Sequence, residues 1–238
     1  MDIIISNLHS RLEVKITAYG VHVLTAAGAA LGLWSIILIY DGLYQKAMWV
    51  LALAVLIDSV DGTLARIFRT KEEAPLIDGA LMDNIIDFVT WTVAPLFWIY
   101  AIHQIPVWVL LLCSIGSIVG FSHKRAKTSD QFFLGFPSYW NIVVFYLYLL
   151  DISPPFASVI LLIFAVGTIV PVKFIYPTRT EFLKPVTIFL GSLYFLQLIL
   201  LLILFENAPA LLIYSSFLFP VYYFGLSFYL NLRKLETS

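Results

Sequence analysis

Ala47-Met48-Trp49-Val50-Leu51-Ala52-Leu53-Ala54-Val55-Leu56-Ile57-Asp58-Ser59-Val60-Asp61-Gly62-Thr63-Leu64-Ala65-Arg66 is apolar for eleven residues and then places two carboxylates three residues apart. A second stretch, Gly79-Ala80-Leu81-Met82-Asp83-Asn84-Ile85-Ile86-Asp87, adds two more, four residues apart. A carboxylate deep in a membrane helix costs about 2.5 to 3.5 kcal/mol on insertion scales, so such groups are rare and mark function. The rest of the chain supplies the membrane setting: 61% of its 238 residues are hydrophobic, 12% are charged, and the mean hydropathy is +0.93. Soluble domains are nearer half apolar and a quarter charged. The apolar runs are continuous rather than alternating, which excludes an outer-membrane barrel. The expected fold class is therefore all-α, a polytopic helical membrane protein forming a single integral membrane domain over 1–238.

Eight spans are expected, near 18–40, 44–68, 78–102, 105–123, 138–151, 154–176, 183–205 and 208–231, the fifth short enough to be tilted or re-entrant. Ahead of them Ile4, Leu8, Leu12 and Ile16 recur every fourth residue beside Arg11 and Lys15. That pattern predicts an interfacial amphipathic helix over 1–17, with the transmembrane bundle occupying 18–231. No cleavable signal peptide is expected at the start. Cys113 is the single cysteine and has no intrachain partner, so there is no disulfide framework.

Charge placement orients the bundle. The N-terminus, the C-terminus and the loops after spans two, four and six carry Arg11, Lys15, Arg66, Arg69, Lys71, Lys124, Arg125, Lys127, Lys173, Arg179, Lys184, Arg233 and Lys234. Of the 14 basic residues this leaves only Lys46 on the other side. Positive charge marks the cytoplasmic side, so both termini and the aspartate-bearing helix ends are expected there.

Helical spacing gathers the aspartates. Asp58, Asp61 and Ala65 stand at i, i+3 and i+7, and Gly79, Asp83 and Asp87 at i, i+4 and i+8, each set on one helix face. If the faces meet, four carboxylates converge and repel unless cations intervene. A pair of divalent ions balances them. Hard oxygen ligands without His or Cys select Mg²⁺, Mn²⁺ or Ca²⁺, and two such ions suit phosphoryl transfer. Gly62, Ala65 and Gly79 remove bulk beside the carboxylates, and Arg66 is placed to meet a phosphate.

The spacing Asp58-x2-Asp61-Gly62-x2-Ala65-Arg66 … Gly79-x3-Asp83-x3-Asp87 resembles the signature of the CDP-alcohol phosphotransferase family. The twelve residues between Arg66 and Gly79 exceed the seven or eight usual there. That longer gap, with Arg125-Ala126-Lys127-Thr128 … Gly135-Phe136-Pro137-Ser138-Tyr139-Trp140-Asn141, is similar to the bacterial phosphatidylcholine synthase branch. The resemblance implies transfer of a phosphatidyl group from CDP-diacylglycerol to choline, giving phosphatidylcholine and CMP, in the bacterial inner membrane. It implies that Asp58, Asp61, Asp83 and Asp87 ligate Mg²⁺ or Mn²⁺, two ions per site, with Asp87 as general base. It places Gly62, Ala65, Arg66 and Gly79 along the cytidine and pyrophosphate, joined by Arg125 and Lys127. It also implies a homodimer among membrane lipids, with no nucleic-acid partner.

Choline carries a diffuse positive charge, for which aromatic faces are natural hosts. Trp91, one turn beyond Asp87, and Tyr139 and Trp140 are candidates, with Asn84 and Asn141 as polar companions. His22 and His103 read as structural or interfacial. Other acceptors (serine, glycerol phosphate or inositol phosphate) are alternatives, although few basic residues lie within the spans to receive an anion. A polyprenyl transferase also uses aspartate-rich motifs, without Gly-x2-Ala-Arg. A transporter or ion pathway predicts inverted repeats and acidic groups spread across the membrane.

Overall fold

The computed structural model describes the backbone of residues 2–124 and 126–236 and the side chains of residues 12–124 and 126–233. The chain divides into two compact units, one ending at Phe97 and one beginning at Trp98.

In the first unit, α1 (Asp2–Tyr40) packs along α2 (Tyr44–Ile67). The helix α1 closes in a Schellman turn, with Leu43 N donating to Leu38 O at 2.8 Å and Gly42 N to Ile39 O at 3.0 Å. Gly42 takes φ +73 there, a conformation that favours glycine. The surface helix expected over 1–17 is not a separate element, because α1 runs through residue 17 without interruption. At about 1.5 Å per residue, its 39 residues exceed the roughly 30 Å hydrocarbon core. Leu12 and Ile16 of the expected stripe are exposed, while the side chains of Ile4, Leu8 and Arg11 lie outside the described residues.

A short α3 (Thr70–Glu73) packs on α1 and fills part of the long gap before α4 (Gly79–Asp87). After α4 the helix widens into a π-helical turn, Phe88–Val93, and continues as α5 (Ala94–His103). Pro95 accounts for the widening: it has no N–H to donate four residues back, and its ring crowds that carbonyl. Thr90 Oγ1 adds a bond to Ile86 O at 3.0 Å. Ile86 and Val89 press onto α1 at Gly28 and Gly32. A Cβ on either glycine would stand 2.7 Å from Ile86 Cγ2 or Val89 Cγ1, respectively.

The second unit holds α6 (Val107–Ser122), α7 (Trp140–Leu149), α8 (Pro154–Ile169), α9 (Lys184–Leu204), α10 (Ala210–Ser216) and α11 (Leu218–Glu236). Two three-residue strands, β1 (Phe132–Leu134) and β2 (Lys173–Ile175), pair antiparallel with Phe133 opposite Phe174. No strand was expected. The sixth span ends at Ile169 rather than 176 because Pro171 turns Val170 out of the helical region, to ψ 128, and frees the residues that form β2. Helices α10 and α11 are two parts of one expected span, interrupted ahead of Pro220.

Among the described residues, five helical segments are long and apolar enough to cross a membrane, and α6, α7 and α8 are shorter apolar helices. The ten residues of α7 rise only about 15 Å, half a bilayer core, so the short fifth element is borne out. Lipid tails are as apolar as Leu or Phe, so spans are held by close packing and by interhelical hydrogen bonds of about 0.6 to 2 kcal/mol each. Trp140 Nε1 donates to Ser117 Oγ at 2.6 Å, Tyr146 and Ser216 hydroxyls meet at 2.6 Å, and so do those of Thr187 and Tyr222. Cys113 is buried and free.

Candidate active site

Asp58 comes from the second half of α2, and Asp83 and Asp87 from successive turns of α4. One carboxylate oxygen from each lies within 4.8 Å of the other two, and all three residues are half-buried. Two oxygens bound to one hard cation at about 2.1 to 2.5 Å stand up to roughly 5 Å apart, so the cluster has the dimensions of a cation site. The donors are all carboxylates, which suits Mg²⁺, Mn²⁺ or Ca²⁺ rather than a metal preferring imidazole or thiolate. Among the described residues no other set of three acidic, His or Cys side chains meets this closely.

Asp61 is not part of that cluster. It is buried, 5% exposed, one turn along α2 from Asp58. An i, i+3 pair on a helix diverges by about 60° around the axis, so the same face need not mean the same point. Gly62 and Arg66 are exposed and Ala65 is half-buried. Arg66 Nη2 donates to Thr63 Oγ1 at 2.9 Å, which keeps the guanidinium alongside its own helix. A Cβ on Gly62 would meet nothing nearer than that guanidinium, at 3.9 Å, so the glycine borders open space.

The start of α4 is fixed by Asp78, whose Oδ1 accepts from Ala80 N at 3.1 Å and Leu81 N at 3.0 Å. The cap sets the register that carries Gly79, Asp83 and Asp87. Asn84 and Trp91 are half-buried. Trp91 lies within the π-helical turn, four residues beyond Asp87.

The remaining expected site residues lie in the second unit. Lys127 is exposed and bridges to Phe133 beside β1, and Arg125 lies outside the described residues. Trp140 is fully buried, with its indole N–H committed to Ser117. Tyr139 packs edge-on against Phe136 and Tyr223. Asn141 is buried and its Oδ1 accepts from Ile142 N at 2.8 Å. These contacts give Tyr139, Trp140 and Asn141 structural work at the start of α7.

The family model of the CDP-alcohol phosphatidyltransferases matches residues 21–171. This chain belongs to that family. The matched region contains all four motif aspartates and crosses the boundary between the two units. Phosphatidylcholine synthase of Legionella pneumophila is 40% identical over 179 residues, covering 72% of this chain and 69% of that protein. That of Legionella bozemanae is 35% identical over 84% of this chain and 98% of its own length. That of Pseudomonas aeruginosa is 31% identical over 92% and 94%. Enzymes of the CDP-alcohol phosphatidyltransferase family use divalent metal ions, and the three-carboxylate cluster is a donor set of the right kind.

The motif left four positions of this CDP-alcohol phosphatidyltransferase unread. Asp78 was signalled by its place, an aspartate immediately before a helix start. Gly28 and Gly32 form Gly-x3-Gly, a close-packing signature, and they receive the helix that carries Asp83 and Asp87. His22 lies against Gly79, with its Cε1 3.0 Å from the position of a Cβ there. No local pattern in the sequence announces that contact.

Proposed function

We propose that this chain transfers the phosphatidyl group of CDP-diacylglycerol to choline, releasing CMP, at the carboxylate cluster of α2 and α4. The observation that carries the reading is the convergence of Asp58, Asp83 and Asp87 within 4.8 Å, inside the region matched to the family. Relatives named phosphatidylcholine synthase support choline as the acceptor.

Asp58, Asp61, Asp83 and Asp87 hold two Mg²⁺ or Mn²⁺ ions, with Asp61 turning toward the cluster from its neighbouring position. When bound, such ions supply the positive charge that offsets the carboxylates and the pyrophosphate oxygens. Gly62 and Ala65 leave room for the nucleotide, Gly79 adjoins it, and Arg66 turns from Thr63 to a phosphate oxygen. Arg125 and Lys127 contribute further positive charge for the pyrophosphate. Asp87 takes the hydroxyl proton of choline as the choline oxygen bonds to the phosphorus of the phosphatidyl group. The bond from that phosphorus to the bridging oxygen breaks, and CMP leaves with the electron pair. Trp91 offers its ring face to the trimethylammonium group, with Asn84 nearby on α4. Tyr139, Trp140 and Asn141 are the further candidates for contact with choline. The whole chain works as one domain in the bacterial inner membrane, with both termini and the site on the cytoplasmic side and a homodimer as the assembly.

Purified protein tests this by CMP release from CDP-diacylglycerol with and without choline and Mn²⁺. Turnover that requires both is expected, whereas equal turnover with serine in place of choline overturns the acceptor assignment. Asp87→Asn should lower kcat by roughly 10²- to 10⁴-fold, the contribution of a positioned general base. Unchanged turnover in that variant defeats the role given to Asp87.

A further inference from the structure

His22 is an unused polar group in the first unit. It lies on α1 between Ala18 and Thr25, on the buried stripe of that helix, and is only 5% exposed. Its Nε2 is buried and has no hydrogen-bond partner. Its ring lies over Gly79, the first residue of α4, with Cε1 3.0 Å and Nδ1 3.5 Å from the site of a Cβ. Any side chain at 79 would press on the imidazole, so the absence of one at Gly79 and the position of His22 are matched.

A buried imidazole nitrogen without a partner destabilises a fold, and an aliphatic residue of similar size would fill the place without that cost. Retention of such a group is explained when its partner arrives with a ligand. The backbone N–H groups of Ala80 and Leu81 are already taken by Asp78, so the first turn of α4 has little left to offer a ligand. His22 sets Cε1 and Nδ1 against Gly79 there, with the unpartnered Nε2 bonded to the other side of Cε1. Nε2 is closed to solvent, so a ligand contact there requires the start of α4 to shift from α1.

We propose that His22 is a further substrate-contacting residue, its imidazole Nε2 hydrogen-bonding the nucleotide-phosphate portion of the lipid substrate beside Gly79. This rests on the reading of the site as one that binds CDP-diacylglycerol. The test compares wild type, His22→Leu and His22→Gln in detergent, by CMP binding in the presence of Mn²⁺, unliganded melting temperature, and KM for each substrate. His22→Leu should keep or raise the unliganded melting temperature, because it removes a buried orphan. It should weaken CMP binding and raise KM for CDP-diacylglycerol by roughly tenfold, the loss of one hydrogen bond to a charged group, while KM for choline stays unchanged. His22→Gln, which keeps a polar nitrogen at similar reach, should recover most of both.

Wild-type CMP affinity and KM in His22→Leu overturn the proposal. So does a drop in melting temperature with kcat and both KM values worsened alike and no recovery in His22→Gln, which identifies a packing role. A wild-type protein that neither binds CMP nor releases it from CDP-diacylglycerol instead removes the functional reading itself, and so is distinguishable from a failure at His22.

Discussion

Two ionised carboxylates 4.8 Å apart repel by on the order of 3 kcal/mol at an effective dielectric of about 20, and the three pairs among Asp58, Asp83 and Asp87 all lie within that distance. Removing one charge relieves the repulsion in the absence of a cation and removes a ligand in its presence. Asp58→Asn should therefore melt no lower than wild type in EDTA yet lose the stabilisation that Mn²⁺ gives wild type; thermal scans with and without the ion decide this. An Asp58→Asn protein with a full Mn²⁺ response would place the ion elsewhere. Gly62 permits a cleaner separation of space from stability, because its missing Cβ would meet nothing nearer than 3.9 Å. Gly62→Ala should fold with an unchanged melting temperature and raise KM for CDP-diacylglycerol, and unimpaired kinetics would show that the open space beside it is not used. The aspartates, Gly62 and Arg66 were legible in the sequence because polar or minimal residues stand out in an apolar run. The separation of Asp61 from the other three was not legible, since spacing fixes an azimuth on a helix and not the distance across to a second one.

Elements carry these side chains only as precisely as they pack, and here α1 sets the position of α4. Gly28 and Gly32 let Ile86 and Val89 approach to within 2.7 Å of where their Cβ atoms would be. Gly28→Ala should destabilise the protein by about 1 to 3 kcal/mol through overpacking. Combining it with Ile86→Ala, which deletes the clashing Cγ2, should return part of that loss. Thermal unfolding of the two single variants and the double variant measures the coupling, and strict additivity would mean that the contact is not the cause. The π-helical turn after Asp87 was hidden from periodicity because Phe88–Val93 is uniformly apolar or small. Pro95 was its one visible sign, and it permits a kink, a break or a widened turn alike. The strands β1 and β2 escaped for a related reason, since three residues are too few to establish alternation.

At the scale of the molecule, the distribution of Lys and Arg predicts that reporters fused at either terminus respond as cytoplasmic, and that Lys46 is reached only from outside by a membrane-impermeant amine reagent. Labelling of Lys46 from the cytoplasmic side would invert the topology. Membrane residence and the order of the spans follow from the sequence alone, because an apolar run must leave water and must satisfy its backbone internally wherever it goes. The chemistry of the motif was equally local: Asp-x2-Asp-Gly-x2-Ala-Arg and Gly-x3-Asp-x3-Asp bring their donors onto two helix faces by spacing alone. Tertiary structure decided what depends on distance between helices. It gathered Asp58 with Asp83 and Asp87, left Asp61 beside them, and turned Trp140 inward to Ser117. It also brought His22 from α1 over Gly79. Helix period and hydropathy act within a segment and can be read from it, whereas close approach between segments depends on the shapes of both surfaces at once.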